Sequence, residues 1–76
     1  MSWSKLSPRE RDVVAGIVQG LDREDAAHAL GISSRTYDTH RARALLKLGA
    51  RNNVHLTLLA IRDGFASMHD ASTQEV

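Results

Sequence analysis

The 76-residue sequence predicts a small all-α domain built from four helices. Two observations carry this prediction: residues that start and stop helices recur at short intervals, and the apolar residues between them follow helical spacing. No segment alternates apolar and polar residues as a half-buried strand would. A chain of this length favours one domain, which we place at residues 1–65, followed by a flexible polar tail at residues 66–76.

The first half of the chain carries signals for two helices. Ser7-Pro8-Arg9-Glu10 matches a capping box with proline at the first helical position, so the first helix begins at Pro8 and ends near Gln19, before Gly20. Its apolar residues repeat at helical spacing: Val13, Val14, Ile17, Val18 and Leu21. Asp22 predicts the start of a short second helix, which ends at Gly31. Its small apolar face comprises Ala26, Ala27 and Leu30.

The second half predicts a long helix and a strongly apolar one. The third helix starts after Ser33 and runs to about Leu48, where Gly49 ends it. Its inward side carries Tyr37, Ala44 and Leu48, with His40 and Arg41 at the margins. The fourth helix starts at Asn52 or Asn53 and ends near Gly64. Its apolar residues cover most of its girth: Val54, Leu56, Leu58, Leu59, Ala60, Ile61 and Phe65. Such a helix needs two partners, so we expect the domain core on one side and a second copy of the chain on the other.

Charge and composition narrow the function classes. Residues 33–51 carry five basic side chains against Asp38 alone, although the whole chain has a net charge of only +1. A local basic stripe is typical of a nucleic-acid surface. The absence of cysteine and of paired histidine spacing predicts no metal and no cofactor. The chain offers no glycine-rich phosphate loop and little length for a pocket, so we do not expect an enzyme. No membrane span or signal peptide is evident, and we expect a cytoplasmic protein.

The order of the predicted helices indicates a helix-turn-helix. A short second helix, the tight link "GIS" and a longer basic third helix match that motif. The blocks "LSPRERDVV", "GLDREDAAHALGIS", "RTYDTHRARALLKLGARN" and "LLAIRDGF" then resemble, in order and spacing, the LuxR-type (LuxR/GerE) DNA-binding domain of bacterial transcription regulators. The resemblance runs from Leu6 to Phe65. It implies a four-helix domain without a wing, in a stand-alone form that lacks the sensor or receiver domain of most members.

The resemblance also implies how the domain acts. It implies a homodimer formed through the fourth helix, which binds double-stranded DNA at a roughly palindromic site with the recognition helix, about residues 34–48, in the major groove. We expect one group of residues to face bases: Arg35, Asp38, Thr39 and Ala42. We expect a second group to address the phosphate backbone: Thr36, Arg41, Arg43, Lys47 and Arg51. The expected dimer surface comprises Val54, Leu56, Leu58, Leu59, Ala60 and Asp63, and charge at Leu59 should weaken both the dimer and DNA binding.

Two residues depart from the family pattern at the recognition surface. Tyr37 and Asp38 stand where the family usually shows a small β-branched residue and then lysine. The Tyr37 hydroxyl is expected to reach solvent or a polar partner. Asp38 has three interpretations: it accepts a hydrogen bond from a cytosine amino group, it holds Arg35 or Arg41, or it marks a domain that no longer binds DNA. The last would be a protein-interaction module, an anti-activator that pairs with another regulator. Besides the DNA-binding regulator and the protein-interaction module, a third function class shares the helix-turn-helix motif: a domain that contacts RNA polymerase.

Overall fold

The computed structural model describes residues 2–64 as a bundle of short helices. A 3-10 helix at Ser2–Lys5 precedes α1 (Pro8–Gln19), α2 (Arg23–Leu30), α3 (Ser34–Leu48) and α4 (Asn53–Arg62). Residues 2–64 contain no strand, which confirms the all-α, wing-free prediction, and the helix bounds agree with the predicted ones to within two residues. Phe65 and the tail predicted at residues 66–76 lie outside the described residues, so the boundary between domain and tail stays a prediction.

Local side-chain contacts explain why the helices begin where they do. In the capping box, the Ser7 hydroxyl accepts a hydrogen bond from the Glu10 N–H, and the Glu10 carboxylate accepts one from the Ser7 N–H. Asp22, Ser33 and Asn52 each accept from the backbone N–H three residues further along. These bonds satisfy backbone donors that have no partner inside a helix. The predicted helix starts are thus set by residues next to them in sequence.

The core lies where α1, α3 and α4 meet. Its fully buried members come from all three helices: Val13 and Val14 from α1, Ala44 from α3, Leu56 and Ala60 from α4. α2 packs mainly on α3, and its buried residues, Ala26 and Ala27, are both small. α3 is therefore held along one side by the rest of the domain, and its opposite side faces outward.

Tyr37 belongs to this core. The residue is 2% exposed, and its burial raises the pKa of the phenolic hydroxyl above the ordinary value. Tyr37 also contributes to the wall of an open depression between α2, α3 and the start of α4, which Arg23 and Arg41 line as well. The bulk of the aromatic ring therefore fills the interior beneath the recognition surface.

Two polar links tie distant parts of the chain together. The Lys47 ammonium at the end of α3 donates to the Glu10 carboxylate at 2.7 Å and to the Lys5 carbonyl at 3.1 Å. The Trp3 indole N–H donates to the Asp63 carboxylate at 2.7 Å. The first link fixes α3 relative to α1, and the second fixes the chain start to the end of α4.

Candidate nucleic-acid interface

The turn between α2 and α3 sets the direction of the exposed helix. Gly31 takes a left-handed conformation with φ +69°, and the Ile32 N–H then donates to the Ala27 carbonyl at 3.0 Å. Ile32 is partly buried against the core, and Ser33 caps α3 immediately afterwards. This tight connection lets α3 leave α2 at a fixed angle, as in a helix-turn-helix.

The outward side of α3 presents residues from the predicted DNA-binding set. Because Tyr37, Ala44 and Leu48 are buried, the residues at helical spacing on the other side are exposed: Arg35, Thr39, Ala42 and Arg43. Leu46, which sequence reasoning did not select, continues this side and is 82% exposed. Its position four residues after Ala42 is the signal that could have indicated it. The side combines guanidinium groups, a hydroxyl and apolar groups, which are the groups that read base edges.

Thr36 takes part in the first turn of α3. Its backbone N–H donates to the Ser33 hydroxyl at 3.0 Å, and the Ser33 hydroxyl lies 3.0 Å from the Thr36 hydroxyl oxygen. Thr36 remains exposed at the start of the helix. Thr36 can therefore take part in the cap of α3 and still contact a phosphate. The phosphate contact stays a prediction.

Asp38 is paired with a residue that sequence reasoning missed. The Arg23 guanidinium, at the start of α2, donates to both Asp38 carboxylate oxygens, from Nε at 2.8 Å and from Nη2 at 2.9 Å. The expected partners on α3, Arg35 and Arg41, do not form this ion pair. α2 lies alongside α3, so Arg23 can approach the carboxylate with both donors of its planar fork. The Arg23 hydrogen bonds lower the pKa of Asp38 below its ordinary value.

The predicted phosphate contacts divide into two groups. Arg43 and Arg51 have exposed side chains without an ion pair in residues 2–64. Arg41 is half-buried and donates to the Asn53 side chain at 3.4 Å, while Lys47 is held by Glu10. Lys47 therefore stabilises the packing of α3 on α1, which sequence reasoning did not anticipate because Glu10 lies 37 positions away. A phosphate contact by Lys47 would have to compete with this ion pair.

Two residues of the expected dimer surface on α4 lie in the domain's own core, and the surface itself stays a prediction. Leu56 and Ala60 are 0% exposed and fill the domain's own core, so they are unavailable to a second chain. Leu59 is half-buried. Asp63 accepts the hydrogen bond from Trp3 within the same chain. The exposed apolar positions of α4 are Val54 at 70%, Leu58 at 59% and Ile61 at 54%. They recur every three or four residues and form one stripe along the helix.

Comparison with known proteins agrees with this geometry. Residues 4–60 match the model of the family described as bacterial regulatory proteins, luxR family. The chain belongs to this family. It is 42% identical over 60 residues to the transcriptional regulatory protein FixJ of Rhizobium meliloti, and 42% identical over 59 residues to the transcriptional activator protein BjaR1 of Bradyrhizobium diazoefficiens. These alignments cover 79% and 78% of the chain.

A solved structure shares the fold. Full-length FixJ from B. japonicum aligns with 82% of the chain at a TM-score of 0.75 and 39% identity. The chain spans 29% of the R. meliloti FixJ, 24% of BjaR1 and 30% of the solved FixJ chain. The domain described by residues 2–64 is thus a LuxR-type helix-turn-helix domain of a transcription regulator, a DNA-binding family. None of its helices is both long enough and apolar enough to span a bilayer.

Proposed function

We propose that the protein regulates transcription by binding double-stranded DNA with α3 in the major groove. The observation that carries this proposal is the exposed side of α3, where Arg35, Thr39, Ala42 and Arg43 lie together. Arg35 can read guanine, small apolar groups can contact the thymine methyl, and Arg43 can contact a phosphate. In a helix-turn-helix the preceding helix crosses the phosphate backbone, a position that α2 would take here.

The proposed active form is a homodimer that pairs through α4. A stripe of three large apolar residues, Val54, Leu58 and Ile61, is exposed on the single chain. Beside it, Leu21 and Ile17 help to line a shallow depression of about 320 Å³ into which apolar side chains of a second copy could pack. A two-fold dimer would use the same stripe on both copies. It would place the two α3 helices about 34 Å apart, which matches successive major grooves and an inverted-repeat site.

Selection from a random duplex library tests DNA recognition directly. We expect the wild type to enrich an inverted repeat. Arg43→Ala should weaken binding to that site and lower the slope of log affinity against log salt by about 1, because one phosphate contact is lost. Arg9→Ala is the control: it removes one positive charge from an exposed position on α1, where Arg9 pairs with Asp12. If the wild type enriches no sequence at low salt, specific DNA reading is rejected. If Arg9→Ala has the same effect as Arg43→Ala, the contact is not at α3.

Sedimentation equilibrium of Leu58→Glu tests the dimer. The dimerisation constant should weaken by at least about tenfold, because burial of a leucine contributes about 1.5–3 kcal/mol and a two-fold interface contains two copies. This position replaces Leu59, which is half-buried in the single chain. Gln19→Glu adds the same charge at an exposed position on α1 and should leave the constant unchanged. A wild-type monomer at high concentration, or an unaffected Leu58→Glu dimer, would reject pairing through α4.

The ion pair also bears on the protein-interaction alternative. That alternative drew support from Asp38, because an acid on the recognition surface should repel phosphates. Arg23 offsets the Asp38 charge, so Asp38 no longer argues against DNA binding. The anti-activator function therefore becomes the expectation only if the selection finds no duplex site.

A further inference from the structure

The ion pair between Arg23 and Asp38 joins the two helices of the helix-turn-helix at its outer surface. Arg23 is the first residue of α2, and Asp38 lies in the first half of α3. Both side chains are half-exposed, at 50% and 41%, so the pair is open to a bound molecule. Both carboxylate oxygens accept from the same guanidinium, a geometry that fixes the position of both groups.

Asp38 occupies a position where a free carboxylate would oppose DNA. The early residues of a recognition helix approach the base edges, and the helix before it crosses the backbone. An unpaired carboxylate there would lie among phosphates, which repel it. It would also offer an acceptor to the amino group of cytosine. The guanidinium of Arg23 takes up one lone pair of each carboxylate oxygen and supplies the opposite charge, so it weakens both effects.

We propose that Arg23 is a specificity-determining residue that withholds the Asp38 carboxylate from DNA. This proposal rests on the proposed binding of duplex DNA by α3. Arg23 uses its Nε and Nη2 donors on Asp38, and a guanidinium carries five N–H donors in all. The remaining donors are available to a phosphate while the pair stays closed. Arg23 thus acts on base preference through Asp38, and it can contribute to affinity on its own account.

A double-mutant cycle separates these two contributions. The four proteins are the wild type, Arg23→Ala, Asp38→Asn and the double variant, each titrated with the duplex that the wild type selects. We expect Arg23→Ala to weaken binding about tenfold at low salt, because it leaves an uncompensated negative charge facing phosphates. In the Asp38→Asn background the same change should weaken binding less than about threefold, because only a phosphate contact is lost. Equal factors in both backgrounds, or no effect in either, would overturn the proposal.

Base preference provides the second readout, which a merely structural role would not change. The library selection, repeated with Arg23→Ala, should yield a new preference for cytosine at one position of each half-site. The double variant should lack this preference, since it has no carboxylate. Arg23→Lys keeps the charge without the two-pronged geometry, and we expect an intermediate result. An unchanged preference in Arg23→Ala would overturn the role in specificity.

The controls distinguish failure of this inference from failure of the proposed function. If the wild type binds no duplex, the proposed function fails and this inference falls with it. If the wild type binds and the cycle shows no coupling, only the inference fails. Both changed side chains are half-exposed, and circular dichroism of each variant should match that of the wild type. A variant with altered helicity would be replaced by Arg23→Gln, which keeps a long polar side chain at the start of α2.

Discussion

Replacing Glu10 by Gln should separate the two roles of one buried side chain. Glu10 is 3% exposed, accepts from the Ser7 N–H at 2.9 Å and accepts from the Lys47 ammonium at 2.7 Å. Glutamine at this position keeps a carbonyl oxygen for the capping box. It loses the negative charge that pairs with Lys47. The variant therefore isolates the contribution of the ion pair between α1 and α3.

The expected loss of stability at pH 7 is about 1–2 kcal/mol. A hydrogen bond to a charged group contributes about 1.5–3 kcal/mol, and the expected loss lies around the lower end of that range because Lys47 can turn towards water when its partner is gone. The Lys47 side chain is 36% exposed, which permits this. For a domain of this size each kcal/mol moves the melting temperature by about 4–8 °C. Glu10→Gln should therefore melt roughly 4–16 °C below the wild type.

The loss should disappear in acid. The Lys47 ammonium, with a smaller contribution from the Ser7 N–H, holds the pKa of Glu10 below its ordinary value of 4.5. Because the folded-state pKa is lower than the unfolded one, the stabilisation is fully present above about pH 4.5 and is lost as the pH falls through the folded value. Urea unfolding at several pH values should show the gap between wild type and Glu10→Gln closing below that pH.

The pH dependence of the stability gap also shows which result would contradict this prediction. A gap that stays constant from neutral pH into acid would mean that the ion pair contributes nothing, and that any loss comes from altered packing of the amide. Glu24→Gln is the matched control, because Glu24 is an exposed acid in the first turn of α2. It should change stability by no more than about 0.5 kcal/mol.

The same urea curves check two further predictions. Leu56→Ala should lower the free energy of unfolding by about 2–5 kcal/mol, because the side chain is 0% exposed and its removal leaves a cavity. Leu58→Ala, at an exposed position, should leave the stability of the monomer within about 0.5 kcal/mol of the wild type. Equal losses would contradict the assignment of Leu56 to the core. Ser33→Ala should lose about 1 kcal/mol, because the Thr36 N–H loses its acceptor at the start of α3; an unchanged midpoint would show that water replaces this cap.

The helix boundaries were predictable because their causes are local. Ser7, Asp22 and Ser33 each bind a backbone N–H three residues away, so the signal and its effect lie within one turn of chain. The order of the helices followed from the same local signals, and the family resemblance then supplied their arrangement. The local capping signals and the family resemblance were together enough to predict the all-α fold.

The sequence predicted only in part which side of α4 meets the core and which side is exposed. Its apolar residues divide into two sides, and the sequence indicates that both need partners. It does not indicate which side meets the core, because that depends on how α4 is rotated against α1. The clean stripe of Val54, Leu58 and Ile61 is the exposed side, and Leu56 and Ala60 are the buried one. Helical spacing alone describes both sides equally well.

Charge pairing across the fold could not be read from spacing either. Among the residues of α3, Lys47 had no predicted partner, and the local rule offered Asp38 only Arg35 and Arg41, which lie within one turn. Their actual partners, Glu10 and Arg23, come from α1 and α2. Such pairs depend on the packing of whole helices, so a sequence pattern reveals them only once the positions of those helices are known.

The ion pairs Lys47–Glu10 and Asp38–Arg23 leave the net positive charge of the predicted DNA-binding surface unchanged. Glu10 offsets the charge of Lys47, and Arg23 offsets that of Asp38, so one cation and one anion of residues 33–51 are neutralised together. The remaining charged residues of the segment are four arginines: Arg35, Arg41, Arg43 and Arg51. Each phosphate neutralised contributes about 0.9 to the salt slope of duplex binding. The slope should therefore follow these arginines and the spare donors of Arg23, and Lys47 should contribute to it only where DNA draws its ammonium away from Glu10.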